Sequence, residues 1–404
     1  MLVSKTKHLL LVAVIFVSVL GKSKKKIIID TDGVYDDVRS LIIALTNKDS
    51  EVVGITTVHG GVSVEQATAN IVRTLRATNC RNIPVFRGAN DSLVPKGPIE
   101  VWQELYGSDG IGDVPNSVPK AEEEDNTRIA RQSAVEALLD LTKQNQNVTL
   151  VCLGPLTNIA NAIKNDSTFV QRLGGLVLMG GNYLAVGNTL NNSTAEFNFL
   201  MDPEAAQIVL SSIHSTIIPW DTSFFKGPEY AKLVDYEASL KLPTPLSRFL
   251  NDITKKGKEF NAINGQQYAF VDDIAVAVAI SEKVALKKVS LYANVQLEKS
   301  ITRGQVTIDW LGTSYNPNSK QFEASSKKNE ANWLSHEFVT EYDVVAINEM
   351  LISALKFSEC TVVKKLETHG VVFEGMQSPN SEAGKFSKVF ILMLMMMTIQ
   401  MLEL

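Results

Sequence analysis

Acidic side chains crowd one short segment near the start of the chain. Asp30, Asp32, Asp36 and Asp37 place four carboxylates within eight residues. Two carboxylates a few ångströms apart repel each other by about 1–4 kcal/mol, depending on the local dielectric, so the crowding requires a bound cation or a shared proton. Carboxylate oxygens favour Ca²⁺ or Mg²⁺, and zinc is disfavoured because no His or Cys lies nearby in the sequence. The alternative is that Asp36 and Asp37 cap a helix dipole, which leaves Asp30 and Asp32 unexplained.

Strands and helices alternate around this segment. Short apolar runs such as residues 26–29 are typical of strands that are buried on both faces of a parallel sheet. We predict strands at 26–29, 52–58, 83–86, 148–153, 175–179 and 215–219, and helices at 36–47, 64–77, 128–144, 157–164 and from 202, where Asp202-Pro203 suits a helix start. This pattern predicts an α/β fold in a single catalytic domain, with an open, mainly parallel, doubly wound (Rossmann-like) sheet flanked by helices.

Polar or turn-forming residues follow four of these strands. They are the acidic segment, His59-Gly60-Gly61, Gly154-Pro155-Leu156-Thr157-Asn158 and Gly180-Gly181-Asn182. Any one of these is compatible with an ordinary turn. Ligands bind beyond the carboxyl ends of the strands in open α/β sheets, so together the four segments predict one pocket.

Two further segments carry candidate site residues. Glu196 and Asn198 are two residues apart, so an extended segment would aim both side chains the same way, as needed to bind vicinal hydroxyls. A plain surface loop is the alternative. Asp272 and Asp273 precede a strongly apolar helix at 274–279, where an acid either caps the helix or closes the metal site.

Taken in order, these motifs resemble the inosine–uridine nucleoside hydrolase family. That family opens with D-x-D-P-G-x-D-D, and this chain has D-T-D-G-V-Y-D-D at 30–37. The resemblance extends over roughly residues 26–355. It also includes Gly154–Asn158, Met179–Asn182, Ala195–Asn198, Asp202–Ala206 and Thr302–Gln305.

The resemblance implies a calcium-dependent enzyme that hydrolyses the N-glycosidic bond of ribonucleosides. The implied Ca²⁺ ligands are the carboxylates of Asp32, Asp37 and Asp272 and the backbone carbonyl of Leu153. The residues implied to bind ribose hydroxyls are Asp36, Asn188, Glu196 and Asn198. Asp32 would also remove a proton from the calcium-bound water.

The chain departs from the family pattern at four places. Gly33-Val34 replaces Pro-Gly, which suggests a looser turn, and Gly61 replaces an Asn, which removes a polar contact near the metal. The segment between Asn188 and Glu196 is about two residues longer than usual, so Asn192 is an alternative to Asn188.

The fourth departure concerns the leaving base. Val271 stands where many members have a His that protonates the base, and Val271 has no proton to donate. The resemblance therefore favours purine nucleosides, activated by stacking and by protonation from solvent, with Trp102 and Tyr106 as candidate stacking residues. If another residue supplies the proton, Asp273 is the first candidate, because it is the nearest unassigned titratable residue in the sequence. Reduced activity is also compatible with Val271.

Composition restricts the class of partner. The chain has 404 residues and a net charge of −5, with no basic domain, so a nucleic-acid polymer is disfavoured and a small nucleoside fits better. Cys80, Cys152 and Cys360 are too few for a disulfide framework and allow one bridge. A homo-oligomer is compatible with the sequence.

The two termini resemble targeting signals. Lys5, Lys7 and His8 precede an apolar run at 9–20, which predicts a signal peptide at 1–21 and secretion; a signal anchor is the alternative. The catalytic domain is then 22–360, followed by a tail at 361–404.

The apolar end of the tail, Val389–Leu404, resembles a GPI-attachment signal, which implies membrane attachment, or else is a disordered tail. Sequons begin at Asn90, Asn147, Asn165, Asn191 and Asn192, as in a secreted glycoprotein.

Two other functions compete with nucleoside hydrolysis. Asp30-x-Asp32 also resembles the nucleophile motif of haloacid-dehalogenase-type phosphatases, with Asp272-Asp273 as the distal acidic pair. That alternative needs Mg²⁺ and a phosphorylated substrate. The other alternative is a catalytically weak secreted binding protein with the same fold, suggested by Gly61 and Val271.

Overall fold

The computed structural model describes residues 24–95, 102–127, 129–189, 194–312 and 334–357. All of these belong to one compact unit. The predicted signal peptide, the predicted tail and Asn192 lie outside the described residues, so the predictions made for them stay predictions.

Nine strands of the described chain form one sheet. They are Lys25–Thr31 (β1), Ser50–Thr57 (β2), Val85–Arg87 (β3), Val148–Cys152 (β4), Leu173–Met179 (β5), Thr216–Ile218 (β6), Ala285–Val295 (β7), Val306–Asp309 (β8) and Ser335–Tyr342 (β9). The order is β3-β2-β1-β4-β5-β6-β9-β7-β8. All pairs are parallel except those that β7 makes with β8 and β9. The predicted open, mainly parallel sheet is confirmed.

Helices flank the sheet on both faces. They are Tyr35–Thr46 (α1), Val64–Ala77 (α2), Gln103–Tyr106 (α3), Ala134–Gln144 (α4), Thr157–Asn165 (α5), Phe169–Arg172 (α6), Phe197–Met201 (α7), Pro203–Ser212 (α8), Trp220–Tyr230 (α9), Pro245–Ile263 (α10), Asp272–Ile280 (α11) and Val344–Leu355 (α12). Ile27 and Ile29 of β1 pack in one apolar cluster and Ile28 packs in another. This alternation follows from the pleat of a strand and explains why β1 is apolar throughout its central part.

The chain order of the strands fixes the position of the site. From β1 the chain passes to β2 and β3 on one side, and then returns to β4 on the other side. Ligands bind in the crevice at such a reversal, beyond the carboxyl ends of the strands. The turns that follow β1 and β4 therefore border this crevice.

Element boundaries differ from the sequence-based predictions in places. The helix predicted from residue 128 begins only at Ala134. Ser133 sets this start, because its hydroxyl accepts from Glu136 N at 3.3 Å while Glu136 accepts from Ser133 N at 2.9 Å. Asp202 caps α8 as predicted, accepting from Ala205 N at 3.0 Å.

The second half of the chain contains elements for which we made no prediction, notably α9, α10 and β7 to β9. Within the described residues, none of the helices is both long and apolar enough to cross a bilayer. Cys80 is disulfide-bonded and Cys152 is free and buried, in agreement with the single bridge that the sequence allows.

Candidate active site

The turn after β1 is held by its own side chains. The Thr31 hydroxyl donates to Asp37, and Gly33 N donates to Thr31 Oγ1 at 3.1 Å. Val34 N donates to Asp37 Oδ2 at 3.2 Å. Gly33 has φ of +69°, and a Cβ there would lie 2.7 Å from a backbone oxygen of α2, so this position requires glycine. The looser turn expected from Gly33-Val34 is therefore not observed.

Three carboxylates from two helices converge. Asp36 and Asp37 lie in the first turn of α1, Asp272 begins α11, and each of the three has a carboxylate oxygen within 4.8 Å of the others. All three are buried. These three residues line a cavity that Asp32 also lines. Asp32 Oδ2 accepts from Gly61 N at 2.6 Å. Four carboxylates from two distant segments of the sequence thus meet at the crevice.

Gly61 contributes through its backbone. We expected this glycine to remove a polar contact near the metal, but its amide supplies one to Asp32. A Cβ at Gly61 would lie 2.6 Å from Val34 Cγ1. The two departures from the family pattern are therefore linked in space, because Val34 occupies the room that a side chain at Gly61 would need.

Asp30 is separate from this cluster. It lines neither this cavity nor the larger one beside it. Its carboxylate accepts from Thr56 Oγ1 at 2.5 Å and from Asn158 Nδ2 at 2.8 Å. Burial raises its pKa to about 7. The crowding in the sequence is thus relieved because one of the four carboxylates turns away, toward β2 and α5.

Glu196 and Asn198 reach the cavity from a helix start. We predicted an extended segment, but Glu196 is the N-cap of α7 and Asn198 lies within that helix. Glu196 accepts from Asn198 N at 2.9 Å and from Gly181 N at 2.8 Å. Asn198 Nδ2 donates to the carbonyls of Leu153 and Met179 at 3.0 and 3.2 Å. Both side chains are thereby fixed against the carboxyl ends of β4 and β5.

Asn188 also lines this cavity, and its Oδ1 accepts from Phe197 N at 2.7 Å. We call this space the inner cavity. Its lining residues are Asp32, Val34, Asp36, Asp37, Gly61, Tyr106, Leu153, Met179, Asn188, Glu196, Phe197, Asn198, Trp220, Val271 and Asp272. Every residue implied to bind metal or ribose is therefore present in one cavity.

A larger outer cavity adjoins the inner one, and the two share Asp36, Tyr106, Trp220 and Val271. Six of its lining residues are aromatic; they are Tyr35, Tyr106, Trp220, Phe224, Phe225 and Tyr268. This lining suits a flat, apolar ring.

Only one of the two stacking candidates from the sequence lies at these cavities. Tyr106 lines both, and its hydroxyl lies 3.4 Å from Asp36 Oδ2. Trp102 lines neither and packs edge-on against Phe260, with ring centroids 5.6 Å apart. Trp220 was missed, although it follows β6 at the same edge of the sheet. Its position directly after a strand is the signal that could have identified it, because sites form beyond the carboxyl ends of strands.

The position of a leaving-group acid is filled by apolar atoms. Val271 lines both cavities, and no histidine is among the described residues that do so. Asp273 lines neither cavity and is bound to Arg39, with Nε 2.9 Å from Oδ1. Asp273 is therefore not in place to protonate a base.

The acidic cluster suits a hard cation. Burial, followed by the effect of neighbouring carboxylates, raises the pKa of Asp37 and Asp272 well above the usual value. Burial raises the pKa of Asp36 and of Glu196 to about 7. Asp36 Oδ1 is buried without a hydrogen-bond partner. An all-oxygen donor set with an unsatisfied carboxylate oxygen fits a divalent cation such as Ca²⁺ or Mg²⁺.

The fold and this site define a doubly wound α/β protein with an acidic cation site next to an aromatic cavity. Comparison with protein families matches residues 27–346 to the family described as inosine-uridine preferring nucleoside hydrolase. The chain belongs to this family.

Individual relatives agree with this membership. The inosine-uridine preferring nucleoside hydrolase of Leishmania major is 31% identical over 291 residues, which cover 71% of this chain and 88% of that protein. Uridine nucleosidase 1 of Arabidopsis thaliana is 37% identical over 196 residues, 48% of this chain. That match spans 55% of the plant protein, so the chain spans about half the length of this relative.

Solved structures extend the likeness over most of the chain. An inosine-guanosine nucleoside hydrolase (IG-NH) has a TM-score of 0.70 at 27% identity, covering 83% of this chain and 99% of that one. A purine-preferring ribonucleoside hydrolase from Gardnerella vaginalis has a TM-score of 0.63 at 26% identity, covering 82% of this chain and 98% of that one.

Proposed function

We propose that this protein hydrolyses the N-glycosidic bond of ribonucleosides, with Ca²⁺ as cofactor and purine nucleosides preferred. The observation that carries the proposal is that the buried carboxylates of Asp32, Asp36, Asp37, Asp272 and Glu196 converge on one cavity. Release of free ribose from inosine, measured as reducing sugar, tests it. Intact inosine after incubation with the calcium-loaded protein would count against it.

The site has the groups that this reaction needs. Asp32, Asp37, Asp272 and the carbonyl of Leu153 would hold the cation. Asp36 is a further candidate, because its carboxylate groups with those of Asp37 and Asp272 within 4.8 Å. When bound, Ca²⁺ would orient ribose hydroxyls and lower the pKa of water. Cleavage of a glycosidic bond passes through an oxocarbenium-like state, which the negative charge of the surrounding carboxylates stabilises.

The residues of the inner cavity have two roles, ribose binding and proton acceptance. Glu196 and Asn198 are fixed by backbone contacts, so they present the Glu196 carboxylate and the Asn198 Oδ1 atom to a ribose diol at low entropic cost. Asp36 and Asn188 face the same space. Asp32 accepts the proton of the attacking water, because its carboxylate lies in the cavity and is oriented by the amide of Gly61.

The purine preference follows from Val271, which cannot donate a proton to the leaving base. Pyrimidines depend on a proton donor for departure, whereas purines offer N7 to solvent and a larger face for stacking. General-acid help is worth about 10²–10⁴-fold. We expect kcat/KM for inosine and guanosine to exceed that for uridine by about 10²-fold or more. Comparable values for uridine and inosine, in a panel that also includes cytidine, would show that another group supplies the proton.

Trp220 should be the principal stacking residue for the base. Base–aromatic stacking contributes about 1–3 kcal/mol, and about 1.4 kcal/mol corresponds to tenfold. We therefore expect Trp220→Ala to lower kcat/KM for inosine by about tenfold. Trp102→Ala is the matched control, because Trp102 lies outside both cavities and should leave kcat/KM unchanged. Equal effects of the two substitutions would refute the assignment of Trp220.

The two alternative functions receive less support. A phosphatase would need Asp30 as nucleophile, but Asp30 is buried, bound to Thr56 and Asn158, and away from the cavity. Family membership also favours the hydrolase. A catalytically weak binding protein would keep the cation and the ribose contacts and release no ribose, so the same assay separates it from the enzyme.

We further propose that the protein is exported. The apolar run at 9–20 and the sequons support secretion and glycosylation, and the apolar C-terminal run supports attachment to a membrane by a GPI anchor. A homo-oligomer stays a prediction as well.

A further inference from the structure

A buried ion pair lies directly beside the acidic cluster. Arg39 is on α1, two residues after Asp37, and Asp273 immediately follows Asp272 on α11. Their side chains are 1% and 0% exposed. Arg39 Nε lies 2.9 and 3.0 Å from the two oxygens of Asp273, and Nη2 lies 2.5 Å from Oδ2. The pair therefore joins the two helices that supply the cation-binding carboxylates.

Further contacts fix the guanidinium group. Nη2 also donates to the carbonyl of Ala269 at 2.9 Å. The rings of Tyr268 and Phe270 have centroids 5.0 and 5.3 Å from the guanidinium carbon. These contacts do not depend on the side chain of Asp273, so Arg39 would stay charged and in place if Asp273 lost its charge.

The charge of Arg39 reaches the cation-binding carboxylates. It acts to lower the pKa of both Asp36 and Asp272, against the larger effect of burial. Asp36 is three residues before Arg39 on the same helix, so the two share a face of α1. A positive charge on the same helix face as Asp36 would repel a divalent cation bound by Asp36, unless a negative charge balanced it.

We propose that Asp273 is a positioning residue for the cation site: it holds and neutralises Arg39, so that the guanidinium charge does not repel a divalent cation bound among Asp36, Asp37 and Asp272. This inference rests on the proposed function, because it assumes that the cluster binds a divalent cation. It also assigns a role to the acid that the sequence suggested as a proton donor.

Three variants test the proposal through the Kd for calcium, measured by titration calorimetry well below the melting temperature. Asp273→Asn keeps the shape and leaves the charge of Arg39 unbalanced, so Kd should weaken by about tenfold, the lower end of the effect of residues that surround metal ligands. Arg39→Met removes the positive charge, so Kd should not weaken. The double variant removes both charges and should restore the wild-type Kd.

A purely structural pair gives a different pattern. If the pair acted only by tying α1 to α11, Arg39→Met would weaken Kd as much as Asp273→Asn, and the double variant would stay weak. Either that pattern or a wild-type Kd for Asp273→Asn overturns the proposal. Should Asp273→Asn not fold, the double variant decides alone, because replacing both partners of a buried pair is often neutral for stability. Wild-type protein that binds no calcium overturns the proposed cofactor, and this inference with it.

Discussion

Replacing Asp32 by Asn should reduce kcat for inosine by about 10³-fold, within the range that general acid–base groups contribute. The amide cannot accept a proton from water, and it carries no charge for the cation. The fold should survive, since the Asn oxygen still accepts from Gly61 N as Asp32 does. Burial raises the pKa of Asp32, so the metal-free protein should gain rather than lose stability from this neutral substitution.

Asp30→Asn is the matched control for this experiment. Asp30 belongs to the same acidic segment but lies outside the cavity, and an Asn oxygen preserves the acceptor for Thr56 Oγ1 and Asn158 Nδ2. We expect its kcat to stay close to that of the wild type. Near-normal turnover in Asp32→Asn, measured on protein with a normal circular dichroism spectrum, would remove Asp32 from the mechanism.

Removal of calcium should abolish activity and lower the melting temperature. A ligand present at a hundred times its Kd stabilises the native state by about 2.7 kcal/mol. The buried carboxylates of Asp36, Asp37 and Asp272 repel one another without a cation. Scanning calorimetry with calcium and with a chelator measures the shift in melting temperature, and re-addition of calcium should restore turnover.

The calcium effect should depend on pH in a defined direction. The metal-free pKa of Asp36 is raised to about 7, so below this pH a cation must displace a proton and above it the carboxylate is already ionised. The Kd for calcium should therefore tighten as pH rises from about 6 to about 8. Asp37→Ala should lose both the stabilisation by calcium and its pH dependence. A melting temperature that is the same with calcium and with chelator would show that the cluster is not a cation site.

The sheet and the position of the site could be predicted because both depend on local patterns. Short apolar runs between helical segments indicate a parallel sheet, and polar residues after strands indicate its functional edge. Asp32 and Asp37 follow β1 and Leu153 follows β4, and all three line the inner cavity. Asp272, which also lines it, follows a helix and a loop, and the resemblance to the family indicated its role. The start of α4 was wrong by six residues because the Ser133–Glu136 capping box was overlooked.

The contacts of Asp273 could not be predicted from one sequence. Arg39 is 234 residues away along the chain, and nothing local to either residue indicates that they meet. Proximity in sequence made Asp273 a candidate proton donor, whereas its burial against Arg39 takes it out of reach of the base. Trp102 was proposed from residue type alone, and its packing against Phe260 depends on a helix, α10, that the sequence analysis did not identify.

The most direct measurement is simultaneous quantification of hypoxanthine and ribose from inosine, with calcium present and phosphate absent. Hydrolysis at this site predicts equimolar free base and free ribose, formed at a rate that Asp32→Asn reduces by about 10³-fold. Protein that binds calcium yet leaves inosine intact, or that instead releases phosphate from a generic phosphoester, would contradict nucleoside hydrolysis at the acidic cluster.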